Sequence, residues 1–444
     1  MQYQNPRFVV VALTLAATIA SAQTRTLTLE QARQVALERN LNVAHAQNNI
    51  EAAQAGVLAA TGSYLPTLSA SAGWQRNQNE GPINIRGIQI PNNKTVTNNF
   101  STGVDLNYLI FDGFSREGNY TRSSANAVST EQTAARTRQA IVFQVESAYL
   151  NVLRNEQLVK VSEENLKRDQ RQLERITESN RVGALSKADV YRQQSQVAAD
   201  ELALITAQNS FDKAKAHLLA LIGLNVNDDY AVTDPTISTE IAQSELEATL
   251  TQYKNFKELS QRALDKRPDY IGATEAVRSA EGGVSSARSG YFPRISASAG
   301  YGFSNPELSK ITQNKNINWG IGLSWNLFDG FGTNQALQTA QVQRKNAELS
   351  LQQTERNINV EVKKALLDLD AAQKAYEVSQ KGLISAREDR KIAEERYNLG
   401  AGTLLDLLTA NANLVNAEAN KVNSVYNYVI AKRNVEFTIG EKTY

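Results

Sequence analysis

Twice along the chain the spacing of apolar residues switches from every second position to every third or fourth, and each long-period stretch runs too far for any compact domain. Residues 114–181 contain no proline and one glycine, Gly118, and residues 333–397 are interrupted only by Gly382. Val145, Tyr149, Val152, Val159, Leu166 and Leu173 in the first, and Ile358, Val362, Leu366, Leu369 and Tyr376 in the second, fall at coiled-coil-like intervals. At 1.5 Å per residue, about 67 residues make a rod of roughly 100 Å. Each rod, about 114–181 and about 332–398, ends at a short glycine-bearing turn. Gly183 and Gly400 supply left-handed C-caps, and Ser186 and Thr403 cap helices that return towards Ile222 and Val435.

Ahead of each rod the period is two. Leu68, Ala70, Ala72 and Trp74 alternate with Ser69, Ser71 and Gly73, and Phe100, Thr102, Val104, Leu106, Tyr108 and Ile110 with Ser101, Gly103, Asp105 and Asn107. The second half repeats this over Ile295, Ala297, Ala299, Tyr301 and Phe303, and over Ile317, Trp319, Ile321, Leu323, Trp325 and Leu327. These predict four strands at about 64–75, 100–111, 292–303 and 317–328, joined in pairs by polar loops over 75–99 and 304–316. Each is about ten residues long, the length a tilted strand needs to cross a bilayer. Aromatics gather at the strand ends, Trp74, Phe100, Tyr301 and Trp319 at one and Phe111, Phe114, Phe328 and Phe331 at the other, as interfacial girdles do. A half-buried soluble sheet would alternate in the same way. In lipid the sheet must close, and four strands are too few, since about eight is the smallest working barrel. A dimer gives eight strands and a filled interior, a trimer twelve and a lumen, which the small inward residues suit.

The chain is a duplication. Residues 63–74 return as 290–301, 227 positions on, while Phe111-Asp112-Gly113-Phe114 returns as Phe328-Asp329-Gly330-Phe331, 217 positions on. The organisation expected is a signal peptide at 1–22, a first repeat at 23–223, a connector at 224–249 that holds Asp234-Pro235, and a second repeat at 250–444. Arg7, the apolar run from Phe8 and Ala20-Ser21-Ala22 read as a secretory signal cut after Ala22. Thr28-Leu29-Glu30-Gln31 predicts a capping box on the first short helix.

Composition removes most chemistry. There is no cysteine, so no disulfide, thiolate nucleophile or cysteine-bound zinc, and only His45 and His217 are present. Neither a metal nor a cofactor is expected, and an enzyme is disfavoured. The 47 Lys and Arg balance 46 Asp and Glu, and loss of Arg7 with the signal leaves a neutral chain, which gives nucleic acid no basic face. A mean hydropathy of −0.41 excludes a polytopic helical membrane protein. Asp228-Asp229 reads as a solvated turn, and Gly282-Gly283 lacks the lysine and strand context of a phosphate loop.

The helix-to-strand swivels Ser63-Tyr64-Leu65-Pro66 and Gly290-Tyr291-Phe292-Pro293, the two F-D-G joints and the segment Arg396 to Leu408 (R-Y-N-L-G-A-G-T-L-L-D-L-L) together resemble the TolC family of outer-membrane efflux proteins. The absence of cysteine is similar to its non-lipidated branch. The resemblance implies a mainly α fold with a membrane β-barrel: a homotrimer pools four strands per subunit into twelve, continued by a long periplasmic coiled-coil barrel. It implies an outer-membrane exit duct for a tripartite efflux pump or a type I secretion system, engaged by a periplasmic adaptor and through it an inner-membrane pump. It places adaptor docking at Gly183, Ser186, Gly400 and Thr403, and swivels at Pro66 and Pro293. It places a hydrogen bond between coiled coils at Asp189 and Tyr397, and an acidic ring at the constriction at Asp406. Two positions depart from the family pattern, Gly402 in place of a latch arginine and Thr409 in place of a second acid. Asp189 and Asp406 also fit a purely local role in the first turns of helices, where the macrodipole favours acids. The rivals are a diffusion porin, for which the rods have no use, and a trimeric adhesin-like coiled-coil protein, which normally lacks such hairpin tips.

Overall fold

A computed structural model describes residues 25–233 and 240–442; the expected signal peptide and Asp234-Pro235 lie outside them. In chain order the elements are β1 (Arg25–Leu27), α1 (Leu29–Arg39), α2 (Leu41–Gly62), β2 (Thr67–Ile85), β3 (Ile88–Phe111), α3 (Ser115–Arg181), α4 (Lys187–Leu221), β4 (Tyr230–Val232), α5 (Gln243–Gln252), α6 (Phe256–Lys266), α7 (Pro268–Arg288), β5 (Arg294–Asn305), β6 (Lys315–Ser324), α8 (Gly332–Asn398) and α9 (Leu404–Thr438). The rods α3 and α8 are each 67 residues long and the return helices α4 and α9 each 35. Moved along by 217 positions, α3 and α4 coincide with α8 and α9; moved by 227, α1 coincides with α6, and α2 with α7 to within one residue at its end.

The four long strands form one antiparallel sheet in the order β2-β3-β5-β6. Its register aligns the two faces across all of them: Leu68, Leu106, Ala299 and Trp319 sit in one row, Ala70, Val104, Tyr301 and Ile317 in the next. The intervening row of Ser69, Asp105, Gly300 and Asn318 belongs to the opposite face. The apolar face has no cover, with Trp319 84% and Ile321 73% exposed. Trp74 stacks on Phe100 at 6.2 Å partway along β2 and β3, and Phe111 meets Phe114 edge-on at 5.4 Å where the sheet joins the rod.

The strands depart from expectation at two places. Residues 75–99, expected as a loop, are mostly strand: β2 and β3 continue to a two-residue turn at Arg86-Gly87, where φ is 52° and 85°. That is the left-handed pair a tight hairpin needs, and a polar ladder forms once the turn fixes its register. Pro82, which has no N–H for the ladder, sits at the register shift between Gly81 and Ile83. In contrast β6 stops at Ser324, short of the expected 328, because its partner β5 begins only at Arg294, after Pro293. Both outer edges of the sheet, on β2 and on β6, are unpaired in the subunit.

Strand passes to rod through the F-D-G-F joints. Gly113 and Phe114 have φ of 73° and 69°, and Gly330 and Phe331 65° and 69°. A left-handed phenylalanine costs about 1–2 kcal/mol. The preceding aspartate offsets this by capping the rod: Asp112 accepts from the N–H groups of Ser115 (3.1 Å) and Arg116 (3.0 Å), and Asp329 from the N–H (2.7 Å) and hydroxyl (2.6 Å) of Thr333. On the way in, Pro66 and Pro293 end the helical backbone, and Phe292 before the second is extended, as a residue before proline prefers.

At the middle of the rods lie two apolar cores. One packs Leu27, Ala32 and Leu218 around Tyr149, whose hydroxyl donates to the Leu27 carbonyl at 2.8 Å; the other packs Leu246, Leu259 and Ile358 around Tyr376 and Tyr428. The expected capping box opens α1, with Gln31 N–H on Thr28 and Thr28 N–H on Gln31. Towards the sheet, α7 lies against both α3 and α8, whereas α2 lies against α3 and, among the described residues, makes no comparable contact with α8. At the α3–α7 crossing the backbones touch: a Cβ at Gly282 would sit 2.6 Å from Arg122 N and from Gly118 O. At the neighbouring Gly283 the nearest atom to a Cβ is Arg122 Cδ at 4.0 Å. Gly282→Ala is therefore expected to cost about 2 kcal/mol or more by forcing rigid backbones apart. Gly283→Ala gains up to about 1 kcal/mol of helix propensity. Thermal unfolding of the extracted protein should show a lowered midpoint for the first and an unchanged or raised one for the second.

Candidate functional site at the helical tips

The two rods end in turns of the same construction. At the first, Gly183 has φ of 80°, and the Ala184 N–H reaches back to the Ser179 carbonyl at 2.8 Å; at the second, Gly400 has φ of 71°, and the Ala401 N–H reaches the Arg396 carbonyl at 2.8 Å. These are left-handed C-caps that satisfy the last carbonyls of the rods. Ser186 then caps α4 by accepting from the Asp189 N–H, and Thr403 caps α9 by accepting from the Asp406 N–H, both at 3.2 Å. Each acid answers its cap. Asp189 Oδ2 accepts from the Ser186 hydroxyl at 2.8 Å, and Asp406 Oδ2 accepts from the Thr403 N–H (2.9 Å) and hydroxyl (2.8 Å). The Thr403 backbone and side-chain hydrogen bonds hold the Asp406 carboxyl below the usual carboxylate range, so it is ionised at neutral pH. The macrodipole reading of both acids is thus realised locally, and Asp406 remains exposed.

Between the two tips runs a groove of about 820 Å³, lined among others by Arg175, Ile176, Leu185, Tyr397, Gly400 and Gly402. The Tyr397 hydroxyl is buried in it and among the described residues meets no hydrogen-bond partner, while Asp189 is engaged by Ser186 and by Arg192 at 3.0 Å. The two are near enough to feel each other: burial, and after it the Asp189 charge, push the Tyr397 pKa up. The hydrogen bond that the resemblance implies between them is not made in this arrangement. Arg175 reaches across the groove to Glu394 at 3.4 Å. Gly402 is tight for a side chain, since a Cβ would lie 3.2 Å from the Cβ of Arg396 and 3.3 Å from the Tyr397 N. Thr409, which carries no charge where the family pattern has a second acid, donates back to the Leu405 carbonyl at 2.9 Å within its own helix. Gly183, Gly400, Ser186 and Thr403 are all exposed, flanked by Val182 (66% exposed) and Leu399 (83%). Arg175 was not legible as a groove residue in the sequence, because only the packing of the two hairpins brings it there.

Strands of membrane length with an uncovered apolar face, continuous with rods of roughly 100 Å that end in small-residue turns, define a subunit of an outer-membrane duct. Among the described residues no helix is long and apolar enough to cross a membrane. The chain belongs to the outer membrane efflux protein family, whose family model matches residues 15–224 and 259–441. It is 24% identical over 419 residues to the toluene efflux pump outer membrane protein TtgC of Pseudomonas putida, covering 93% of this chain and 82% of that protein. It is 25% identical over 359 residues to the outer membrane protein TolC of Escherichia coli, covering 78% and 70%. In fold it is similar to the CmeC outer membrane channel of Campylobacter jejuni, with a TM-score of 0.79 at 21% identity, over 94% of this chain and 86% of that one. It is thus an outer-membrane efflux channel protein with a large periplasmic helical portion, in a family of channels rather than enzymes.

Thr403→Ala removes both the hydroxyl acceptor of the α9 cap and a donor to Asp406, and should cost about 1 kcal/mol locally. Amide hydrogen exchange at Asp406 and Leu407 is expected to quicken several-fold, with the α4 cap unchanged. Because the Asp406 carboxyl is depressed by its bonds, the carboxylate's share of the cap is present above the ordinary carboxylate range and is lost as pH falls through the depressed value. The difference between wild-type and Thr403→Ala exchange should therefore shrink in acid without vanishing, since the hydroxyl accepts from the Asp406 N–H at any pH.

Proposed function

We propose that three copies join head to tail into one twelve-stranded barrel, continued by a tunnel of rods, and that this assembly is the exit duct of a tripartite efflux pump. What carries the reading is the pair of unfinished edges. The outermost strands β2 and β6 run antiparallel to one another, so β6 of one copy continues the alternation onto β2 of the next. Left open in hydrocarbon, each unpaired backbone group costs several kcal/mol. Two copies give a filled eight-stranded barrel, and three give a lumen lined by the serine, glycine and asparagine face.

The duplication supports the same closure among the rods. The second repeat's α7 fills the space between α3 and α8, and α2, its counterpart in the first repeat, has only one such neighbour. At the first joint a Cβ on Gly113 would run into Ser289 and Phe292; at the second, a Cβ on Gly330 would meet nothing within 4 Å among the described residues, and Leu65, the counterpart of Phe292, is 65% exposed. A neighbouring copy placed as the second repeat is placed on the first would bring Leu65 to Gly330.

The tips are the docking surface for a periplasmic adaptor. Gly183, Ser186, Gly400 and Thr403 keep side-chain bulk away, and Val182 and Leu399 offer apolar contact. Asp406 supplies one ionised carboxylate per copy to the constriction, and Asp189 and Tyr397 sit where the two hairpins of a copy part or close. The name of the Pseudomonas putida relative speaks of toluene, and small apolar toxicants are the favoured cargo; type I secretion of a protein would use the same duct.

Deletion in a strain without other family members should sensitise cells to apolar solvents and antibiotics, with the wild-type chain restoring tolerance. Ala401→Trp, at an exposed turn position that makes no cap side-chain bond, should reach the outer membrane in normal amounts and fail to restore it. Unchanged tolerance and unchanged protein secretion after deletion would contradict the exit-duct reading. Full restoration by Ala401→Trp would contradict docking at the tips.

A further inference from the structure

Above the tips the rods enclose a set of buried polar side chains that neither membrane closure nor docking uses. Asp169 on α3 is 1% exposed, and Gln193 and Asp200 on α4 and Asn411 on α9 are also buried. Asp169 Oδ1 accepts from Gln193 Nε2 at 3.2 Å and from Asn411 Nδ2 at 3.3 Å, and its carbonyl accepts from Gln193 Nε2 at 3.1 Å. Asp200 Oδ1 accepts from Gln196 Nε2 at 3.0 Å. The other oxygens, Asp169 Oδ2 and Asp200 Oδ2, are buried and accept no well-formed hydrogen bond among the described residues. The two carboxyls lie within hydrogen-bonding reach of each other, and the Asn165 amide on α3 faces Asp200 beside Gln196 and partly offsets the rise in its pKa.

The charges packed around the pair are committed elsewhere. Arg168 on α3 turns to Glu418 on α9 at 3.4 Å. Arg390 on α8 pairs with Glu394 at 2.9 Å and donates to Asn411 Oδ1 at 3.1 Å. Among the described residues no lysine or arginine makes an ion pair with Asp169 or Asp200. Two carboxylates in contact in a water-poor site cannot both ionise, and a single proton between them converts a repulsion into a hydrogen bond. Burial, reinforced by Asp169, pushes the Asp200 pKa up to about 7.

We propose that Asp169 and Asp200 share one proton in a clasp that ties α4 to α3 and, through Asn411, the α3–α4 hairpin to α9, so that loss of the proton loosens the junction between the two hairpins. The clasp sits about 18 Å along the rod from the end of α3, twelve residues at 1.5 Å each. Its existence is independent of cargo and partner; only its consequence for conductance rests on the duct reading. A carboxyl raised in the folded state holds a proton that the unfolded chain has lost between about pH 4 and pH 7. Its stabilisation therefore falls as pH rises through that window and is flat above it. The neutral amide of Asp200→Asn donates to Asp169 Oδ2 at every pH and removes this dependence.

The test uses the full-length protein extracted from membranes. At pH 6 its infrared spectrum should carry a protonated carboxylic acid band that is absent in Asp200→Asn and in Asp169→Asn. Between pH 5.5 and 8 the wild-type melting midpoint should fall relative to either variant, and single-channel conductance should rise with pH in the wild type only. Absence of the acid band from the wild type, or its survival in both variants, would overturn the clasp. So would an equal fall in midpoint for all three proteins, or stabilisation of the wild type alone by sodium, potassium or calcium ions at pH 8, which would make the occupant a metal cation. If the bands and midpoints behave as expected and conductance does not change with pH, the clasp stands and its coupling to the duct is refuted.

Discussion

A backbone N–H or C=O has nothing to bond in hydrocarbon except another backbone, and the consequences of that requirement run the length of this molecule. One subunit pairs β2 through β6 internally and leaves a donor–acceptor row on each outer strand. Its apolar face is aligned in register across all four strands, so the sheet is already sorted into a lipid side and a lumen side before it is closed. Closure by other copies follows from the same accounting of backbone groups that forbids open sheets in membranes. On the proposed closure, the unequal surroundings of Gly113 and Gly330 are two views of one contact, made within a subunit in the first case and left for a neighbour in the second.

Duplication gives this architecture its economy of parts. Equal rods, equal return helices and equal turns mean that a joint which works once works at every position around a ring. The F-D-G-F joints show how little is needed: a glycine and a phenylalanine in left-handed conformation turn the chain, and an aspartate recovers part of the strain by capping the rod. At the far end the Gly, Ser or Thr, and Asp of each tip perform the reverse turn with the same logic of satisfied helix termini. Where the two copies differ, at Gly402 and at the buried Asp169–Asp200 pair, the tips acquire features that symmetry alone would not supply.

The parts of the fold that were legible in the sequence are those governed by local periodicity and local caps. Alternation from Leu68 to Trp74 and from Ile295 to Phe303 specified the two faces, proline-free rods specified length, and Thr28, Ser186 and Thr403 marked helix starts. Residues 75–99 were not legible as strand because their polarity hid a ladder whose signal was the Arg86-Gly87 turn. Gly282 carried no readable function, since its role is a backbone approach to Gly118, 164 positions earlier in the chain. At the candidate site the caps were legible, but the groove and the separation of Asp189 from Tyr397 were not. Those depend on how two hairpins sit side by side, which no helical period encodes. Asp169, Asp200 and Asn411 likewise look like solvated helix positions until three helices enclose them.

The most direct measurement of the central claim is the native mass of the protein extracted from the outer membrane in mild detergent. Three copies per particle, converting to single chains only when the membrane sheet unfolds, is the result required by subunits that complete one another's edges. A folded particle of one chain, stable in detergent with β2 and β6 still unpaired, would contradict it.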